Sequence, residues 1–338
     1  MKRITISDVA AQAGVSKSTV SHALSGKRPI SAATRERIQQ AIDALGYQPN
    51  PVAQRLAGGR TKTIGYVFPL YAPQIAGLEM KFIASTANEI NLANYAFMLL
   101  THPADDVDNL RRFASSGLVD GFILMQVRLE DARVQFLQQA GIPFVLVGRC
   151  ADNFGLTYVD IDLAHAMTEC LTHLTELGHH TIAYLHQDAG DFGFMYRAQR
   201  EFLSACEEKN VTSFAYPSKL SYESGADAMS ALLQQHPEAT AVITWNNTVA
   251  WGAIDVAQAN GRSIPHDLSI ISYGHSSLPY ASRIPLTVVD IHPEQLAATA
   301  ARLLLNKLEG DQDDSQVLLE STLIVRESTA VCPNGLSK

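Results

Sequence analysis

Residues 7–24 read SDVAAQAGVSKSTVSHAL and predict two short helices joined by a tight turn. Serine and aspartate at the start of this stretch favour a helix N-terminus, and Gly14 can adopt the left-handed backbone that ends a helix. Ser16 is then placed to cap a second helix from Lys17 to Leu24, with polar residues on its outer face. This pattern is typical of a helix-turn-helix, which places its second helix in the major groove of DNA.

The residues that follow predict a third helix, which begins at Ser31 or Ala32, runs to Leu45 and stops at Gly46. The three helices together predict a small all-α head that binds DNA. Short hydroxyl side chains recur at the helix starts, where they suit contacts to backbone phosphates that set the register of a protein on DNA. The candidate phosphate contacts are Ser16, Thr19, Ser21, Ser31 and Thr34. Each of them alone is also compatible with a cap or an ordinary surface position.

Charge is distributed unevenly along the 338 residues. Residues 1–62 contain ten Lys or Arg and three Asp or Glu, a net charge of +7, so the rest of the chain carries −15 of the total of −8. A basic head on an acidic body is expected when only the head meets a polyanion, although a solvated basic face would look the same. Together with the helix-turn-helix pattern, the charge favours DNA as the partner.

Length and composition limit the remaining possibilities. A chain of 338 residues with 46% hydrophobic content predicts two or three globular domains. No apolar run approaches the roughly 18 residues of a membrane span, and the N-terminus lacks the pattern of a signal peptide. The four cysteines are far apart, without metal-ligand spacing, which is typical of a reducing compartment. We therefore expect a cytoplasmic protein without a metal or other cofactor.

The body predicts an α/β core. Short apolar strands alternate with helical segments, which indicates parallel sheets covered on both faces. The predicted strands are 64–68, 97–100, 121–125, 144–147, 181–185, 241–244, 268–273 and 316–319, and a long helix covers 294–308. There are enough strands for two doubly wound parallel-sheet subdomains. Ligands of such folds bind beyond the carboxyl ends of the strands, so we expect a ligand cleft between the two subdomains.

The head resembles that of the LacI/GalR repressor family through residues 6–24 and 34–56 without a gap. The body resembles the family's periplasmic-binding-protein-like core more loosely, for example at 119–123, 141–145 and 264–270. The resemblance implies a helix-turn-helix domain at 1–48, a hinge helix and linker at 49–62, and a two-lobed effector-binding and dimerisation domain at 63–338. It also implies a near-palindromic operator, bound by a homodimer.

The resemblance assigns DNA-contacting residues in the head. Bases would be read from the recognition helix by Lys17, Ser18 and His22, the last of which stands where the family usually has arginine. The hinge helix would enter the minor groove through Asn50, Val52, Ala53 and Leu56, with Leu56 as the wedge that kinks the duplex. An ordinary linker with a buried leucine is the alternative for the hinge.

Effector-binding residues are expected at strand ends and at positions that match the family. The candidates are Tyr71, Gln74, Gln126, Arg149, Asp162, Phe192, Arg197, Trp245, Asn246, Tyr273 and His275. Each could instead serve packing, and Arg200 is a rival for Arg197. Two departures stand out, because the resemblance implies aspartate where this chain has Asn247 and Gly274. Planar polar groups with aromatic rings suit a sugar.

The sequence thus predicts a transcriptional regulator, most simply a repressor, whose operator affinity is controlled by a sugar or sugar derivative bound between the lobes. Control by a protein co-effector is an alternative, and an α/β enzyme is another. GxSxG, GxxxxGK[ST], HExxH and CxxC motifs are absent, which argues against the enzyme. The short tail after Cys332 has no leucine heptad, so we expect a dimer.

Overall fold

The computed structural model describes residues 4–25, 29–47, 60–69, 77–103, 106–188, 190–274, 284–311 and 313–332. Three helices form the head: α1 (Ile6–Ala13), α2 (Lys17–Ser25) and α3 (Ala32–Leu45). The first helix opens with a capping box between Thr5 and Asp8 and closes at Gly14 in the left-handed conformation. Residue bounds predicted for all three helices agree with the structure to within one residue.

The head has its own apolar core. The residues buried at its centre are Val9, Ala10, Ala13, Val20, Ile38 and Ala41. Leu24, Ile42 and Leu45 pack against this cluster as partly buried side chains. Each helix contributes one apolar face to this core, because apolar residues three and four positions apart share one side of a helix.

The body consists of two lobes, each built on one six-stranded sheet. The first lobe contains β1 (Thr63–Val67), α4 (Leu78–Leu92), β2 (Ala96–Leu100), α5 (Val107–Ser116), β3 (Gly121–Leu124), α6 (Ala132–Ala140), β4 (Phe144–Val147), β5 (Tyr158–Ile161), α11 (Pro293–Glu309) and β11 (Gln316–Leu319). The second contains α7 (Leu163–Glu176), β6 (Thr181–Gln187), α8 (Gly193–Glu208), β7 (Thr212–Ser218), α9 (Tyr222–Gln235), β8 (Ala241–Thr244), α10 (Asn247–Ala259), β9 (Ser269–Gly274), β10 (Thr287–Asp290) and β12 (Thr322–Ile324).

Strand order places a topological switch point in each lobe. The first sheet runs β11-β5-β4-β3-β1-β2 with every pair parallel. The second runs β12-β10-β9-β8-β6-β7, and only β12 is antiparallel to its neighbour. In the first sheet β2 and β3 lie on opposite sides of β1, and in the second sheet β7 and β8 lie on opposite sides of β6. Crevices open at points where the strand order switches sides in this way. The predicted fold class, two doubly wound α/β subdomains behind a helical head, is confirmed.

Four strands were not predicted from the sequence, and the failure has a physical reason in each case. β7 and β12 lie at sheet edges with half-exposed residues, so neither shows a continuous apolar run. β5 and β10 are buried but only four residues long, and each carries an aspartate. A polar residue in so short a segment removes the hydrophobic signal on which strand prediction depends.

Candidate functional site

The N-terminus of α2 carries a cluster of hydroxyl groups. Ser16 Oγ accepts the backbone N–H of Thr19 at 3.1 Å, as an N-cap does, and it lies 2.7 Å from both Ser18 Oγ and Thr19 Oγ1. Ser31 repeats the arrangement at α3, where it accepts from the N–H of Thr34. Ser16 and Ser31 are thus N-caps, and because both side chains are exposed they can also meet a phosphate at a helix N-terminus.

The outer face of α2 carries the three predicted base-reading residues together. Lys17 and Ser18 are exposed, and His22 follows one turn later as a partly exposed side chain beside Ser21. Among the described residues His22 Nδ1 has no hydrogen-bond partner, although the atom itself is buried. The predicted hinge residues Asn50, Val52, Ala53 and Leu56 lie outside the described part of the chain.

In the body, the carboxyl ends of the two sheets face each other. The loop after β3 meets the loop before α8: Val127 O accepts the N–H of Gly193 at 2.9 Å, and Leu129 N–H donates to Asp191 O at 2.7 Å. Arg128 adds an ion pair to Asp191 at 3.1 Å, with its guanidinium 5.4 Å from the Phe192 ring centroid. The predicted cleft residue Phe192 therefore lies where the two lobes meet.

Two arginines from different lobes share one carboxylate at this junction. Arg149 Nε donates to Asp160 Oδ2 at 2.8 Å, and Arg197 Nη2 lies 3.4 Å from the same oxygen. Arg197 Nη2 also donates to Arg149 O at 2.9 Å, although Arg197 belongs to the second lobe and Arg149 to the first. Burial lowers the pKa of the Arg197 guanidinium, an effect that Asp160 opposes and Arg149 reinforces. Arg197 Nε is buried without a partner among the described residues.

The close approach at this point depends on Gly193. A Cβ atom at Gly193 would lie 2.3 Å from Arg149 O and 2.8 Å from Arg197 Nη2, which no side chain tolerates. The rival Arg200 is three residues further along α8, where it is 60% exposed and pairs with Glu201. Of the two arginines, only Arg197 reaches the opposite lobe.

A second ion pair, Asp131 with Arg133, supports the loop after β3. Both side chains are 1% exposed and 2.6 Å apart, and Arg133 Nη2 also donates to the carbonyls of Met125 and Gln126. Burial alone would raise the pKa of Asp131, but its hydrogen bonds and ion pair with Arg133 outweigh this effect, so the pKa lies below its usual range. The predicted cleft residue Gln126 follows β3 with a left-handed φ of 52°, held there through its carbonyl.

Other predicted cleft residues in the second lobe are either buried or act as helix caps. Trp245 is 9% exposed and donates from Nε1 to Ser218 Oγ at 2.9 Å, while Asn246 caps α10 by accepting from Thr248 N–H at 2.7 Å. Asp162 likewise caps α7 through His165 N–H. Tyr273 lies in the apolar core at 4% exposure, and burial raises the pKa of its hydroxyl.

The structure therefore gathers Gln126, Arg149, Phe192, Arg197 and Asn246 at the carboxyl edges of the two sheets. Tyr71, Gln74 and His275 lie outside the described residues. Sequence reasoning missed Asp160, whose only signal was a lone carboxylate in the short strand β5. The described residues contain no group of three or more His, Cys, Asp or Glu that could hold a metal ion. Within the same residues, every helix is too short or too polar to cross a membrane.

Comparison with known proteins finds relatives of both the helical head and the two-lobed body. Residues 5–50 match the family described as bacterial regulatory proteins, lacI family, and residues 171–329 match a periplasmic binding protein-like domain. The HTH-type transcriptional regulator CelR of Thermobifida fusca is 31% identical, with 97% of this chain and 98% of CelR covered. A solved structure of a CelR–cellobiose complex has a TM-score of 0.74 at 28% identity, covering 96% of this chain and 100% of that one.

A Lac repressor dimer bound to operator and an anti-inducer has the same fold, with a TM-score of 0.82 at 23% identity over 97% of this chain and 100% of that chain. The relative that is 31% identical over nearly the whole chain is an HTH-type transcriptional regulator. From the matched head, the matched core and this full-length likeness, we conclude that the chain is a transcriptional regulator and belongs to the lacI family of bacterial regulatory proteins.

Proposed function

We propose that this protein is a sequence-specific repressor whose operator affinity is controlled by a sugar or sugar derivative bound between its two lobes. The observation that carries the proposal is the contact of Arg197 with Arg149 O and Asp160 across the junction. A ligand that enters the cleft must exchange with these contacts or add to them. Because the contacts join the lobes, ligand binding then changes the relative stability of lobe arrangements.

The proposed domain organisation follows from the sequence. Residues 1–48 form the DNA-reading head, with Lys17, Ser18 and His22 at base edges and the five hydroxyl residues at phosphates. Residues 49–62 form the hinge, in which Leu56 enters the minor groove, and residues 63–338 form the effector-binding and dimerisation domain. A homodimer places two heads on a near-palindromic operator, since a two-fold protein matches a two-fold site.

A carbohydrate effector is supported by the chemistry of the cleft. Arginine and carboxamide side chains at the strand ends, together with Phe192, offer planar hydrogen-bonding groups and an aromatic face, which suit hydroxyls and the apolar side of a sugar ring. CelR, which resembles this chain over its whole length, has been solved with cellobiose. Cellobiose is therefore the first probe to use.

The test begins with an operator obtained by in vitro selection from random near-palindromic duplexes. Fluorescence anisotropy should give a specific affinity that decreases steeply with salt, because phosphate contacts release counterions. Leu56→Ala should lower specific affinity and leave nonspecific affinity nearly unchanged. Addition of cellobiose, glucose, galactose or maltose should alter operator affinity at least tenfold for one of them. Failure to select any operator would refute sequence-specific repression. Selection of an operator whose binding responds to none of the sugars would refute the carbohydrate effector alone.

A further inference from the structure

The side chain of Asn247 occupies the space that a side chain at position 274 would need. A Cβ atom built on Gly274 would lie 2.5 Å from Asn247 Oδ1 and 2.8 Å from both Asn247 Cγ and Nδ2. Three side-chain atoms of Asn247 therefore fill this position, and no residue larger than glycine fits at 274 while Asn247 keeps its place. The two departures from the family's aspartates are thus one coupled structural feature.

The carboxamide of Asn247 is buried and lacks a partner. Asn247 is 8% exposed, and its Oδ1 has no hydrogen bond to any described residue. Turning the amide about its axis would exchange the oxygen and the nitrogen and leave Nδ2 there instead. A buried polar atom without a partner is costly, so its persistence points to a function in which a partner is supplied from outside.

The position of Asn247 indicates what supplies that partner. The residue begins α10, directly after the carboxyl end of β8, and Gly274 is the last residue of the neighbouring strand β9. This edge of the sheet is the one that faces the other lobe through the loop before α8. A second carboxamide, Gln187 at the end of β6, also has a buried Oε1 without a partner among the described residues.

Among the described residues, the polar groups next to Asn247 in the chain make hydrogen bonds elsewhere. Asn246 Oδ1 accepts from Thr248 N–H, and Trp245 Nε1 donates to Ser218 Oγ, which in turn donates to His186 O. These bonds hold the end of β8 in a fixed conformation. Asn247 is therefore held by packing, with Oδ1 unpaired among the described residues, an arrangement that suits a preorganised ligand contact.

We propose that Asn247 is a specificity-determining contact that accepts a hydrogen bond from a hydroxyl of the effector, and that glycine at 274 is required to make room for it. The inference rests on the proposed carbohydrate effector. A carboxamide both donates and accepts, whereas a carboxylate only accepts, so this edge of the cleft reads a sugar hydroxyl with a neutral group. A hydroxyl that meets a built acceptor is discriminated strongly from a deoxy analogue, because removal of the hydroxyl leaves the acceptor unpaired again.

The steric part of the inference is tested without a ligand, by thermal unfolding of the full chain. Gly274→Ala should lower Tm by several degrees in the wild-type background and by less than half as much in the Asn247→Ala background, where the space is open. Asn247→Ala itself should leave Tm unchanged or raise it, since it removes an unpaired polar group. An equal effect of Gly274→Ala in both backgrounds would overturn the coupling.

The ligand part uses calorimetry with whichever of cellobiose, glucose, galactose or maltose binds the wild-type protein. Asn247→Ala should weaken binding about 10- to 100-fold, the cost of an acceptor lost to a buried hydroxyl. Asn247→Asp, which keeps the acceptor, should bind within a few-fold of wild type. Asn260→Ala, at the far end of α10, is the matched control and should bind normally.

The outcomes separate the two claims. Wild-type affinity in Asn247→Ala overturns the contact and leaves the carbohydrate effector standing. Equal loss in the alanine and aspartate variants overturns acceptance by Oδ1, because aspartate keeps both the shape and the acceptor oxygen of asparagine. Absence of binding by the wild-type protein to all four sugars refutes the proposed effector class, and the inference about its hydroxyl fails with it.

Discussion

Arg197 Nη2 donates a 2.9 Å hydrogen bond to the carbonyl oxygen of Arg149, and this bond joins the two lobes at the carboxyl edges of their sheets. The same guanidinium lies 3.4 Å from Asp160 Oδ2, which Arg149 Nε already contacts at 2.8 Å. One buried carboxylate therefore holds side chains from both lobes in place. Any change in the spacing of the lobes must break or rearrange these bonds.

Replacement of Arg197 should weaken binding of the sugar effector. Arg197→Met retains much of the side-chain volume but removes the charge and its hydrogen bonds to Arg149 O and Asp160. We expect sugar affinity to decrease about 10- to 100-fold, since hydrogen bonds to charged groups contribute about 1.5–3 kcal/mol. Calorimetry with the sugar that binds wild type measures this loss. Arg200→Met is the matched control, because Arg200 is exposed and pairs only locally with Glu201; an equal loss in that variant would show that the wrong arginine had been assigned.

Loss of one partner of the buried Asp131–Arg133 pair should strongly destabilise the first lobe. Asp131→Asn leaves the Arg133 guanidinium buried without its counter-charge, which costs about 3–5 kcal/mol in the free energy of unfolding. Urea denaturation followed by circular dichroism measures the difference. Asp152→Asn, at an exposed position, should change stability little. A cost below about 1 kcal/mol for Asp131→Asn would mean that the pair contributes little.

Acid should weaken the protein through this pair as well. The pKa of Asp131 is lower in the folded state than its ordinary value of 3.8, so the folded state binds fewer protons there than the unfolded chain. The resulting stabilisation is complete above about pH 5 and is lost as the pH falls through the folded pKa. In Asp131→Asn this component of the acid transition below pH 4 should be absent, as pH-dependent thermal unfolding can show.

Protonation of the buried His179 should cause a separate loss of stability nearer neutral pH. Its ring is 1% exposed, with Nδ1 3.0 Å from Thr240 Oγ1 and Nε2 3.0 Å from Ala330 O. Burial lowers its pKa below 6.5, and the bond to Ala330 O only partly opposes this effect. A histidine with a lowered folded pKa stabilises the protein fully above 6.5 and progressively less as the pH falls below it. Tm should therefore decrease between pH 7 and pH 5, and His179→Gln should flatten that decrease.

His22 should determine one position of the operator. The side chain lies on the outer face of α2 and is partly exposed, so the ring can offer one hydrogen bond to a base edge. His22→Arg should shift the selected base at that position towards guanine, which arginine contacts with two bonds, a preference of about 1–3 kcal/mol. Repeating the in vitro selection with this variant measures the shift. An unchanged consensus would remove His22 from the base-reading set.

Local patterns in the sequence were sufficient for the head. Capping residues at Ser16 and Ser31 and left-handed glycines at 14 and 46 fix where helices begin and end, and the structure places all of them as expected. The signals work because each depends on neighbours within one helical turn. The alternation of strands and helices also predicted both sheets, but not the edge strands β7 and β12 or the short strands β5 and β10, whose aspartates remove the hydrophobic signal.

The cleft could be predicted only in outline. Strand ends indicated Gln126 and Asn246, and the family resemblance indicated Arg149 and Arg197. Trp245 and Tyr273 follow the strand-end rule as well, yet they are buried in the second lobe. Position at a strand end says which edge a residue is on, and it does not say whether the side chain points towards the opposite lobe or into the core.

The sequence by itself determined the helical head, the two-lobed α/β core and membership of the lacI family, because these depend on periodicity and on short motifs. Only the tertiary structure decided which polar groups meet. Arg197 and Asp160 are 37 residues apart in the chain and lie in different lobes. Asn247, at the start of α10, fills the space beside Gly274 at the end of β9. Contacts of this kind depend on how whole elements pack, and no local pattern encodes a contact between residues that are so far apart in the chain.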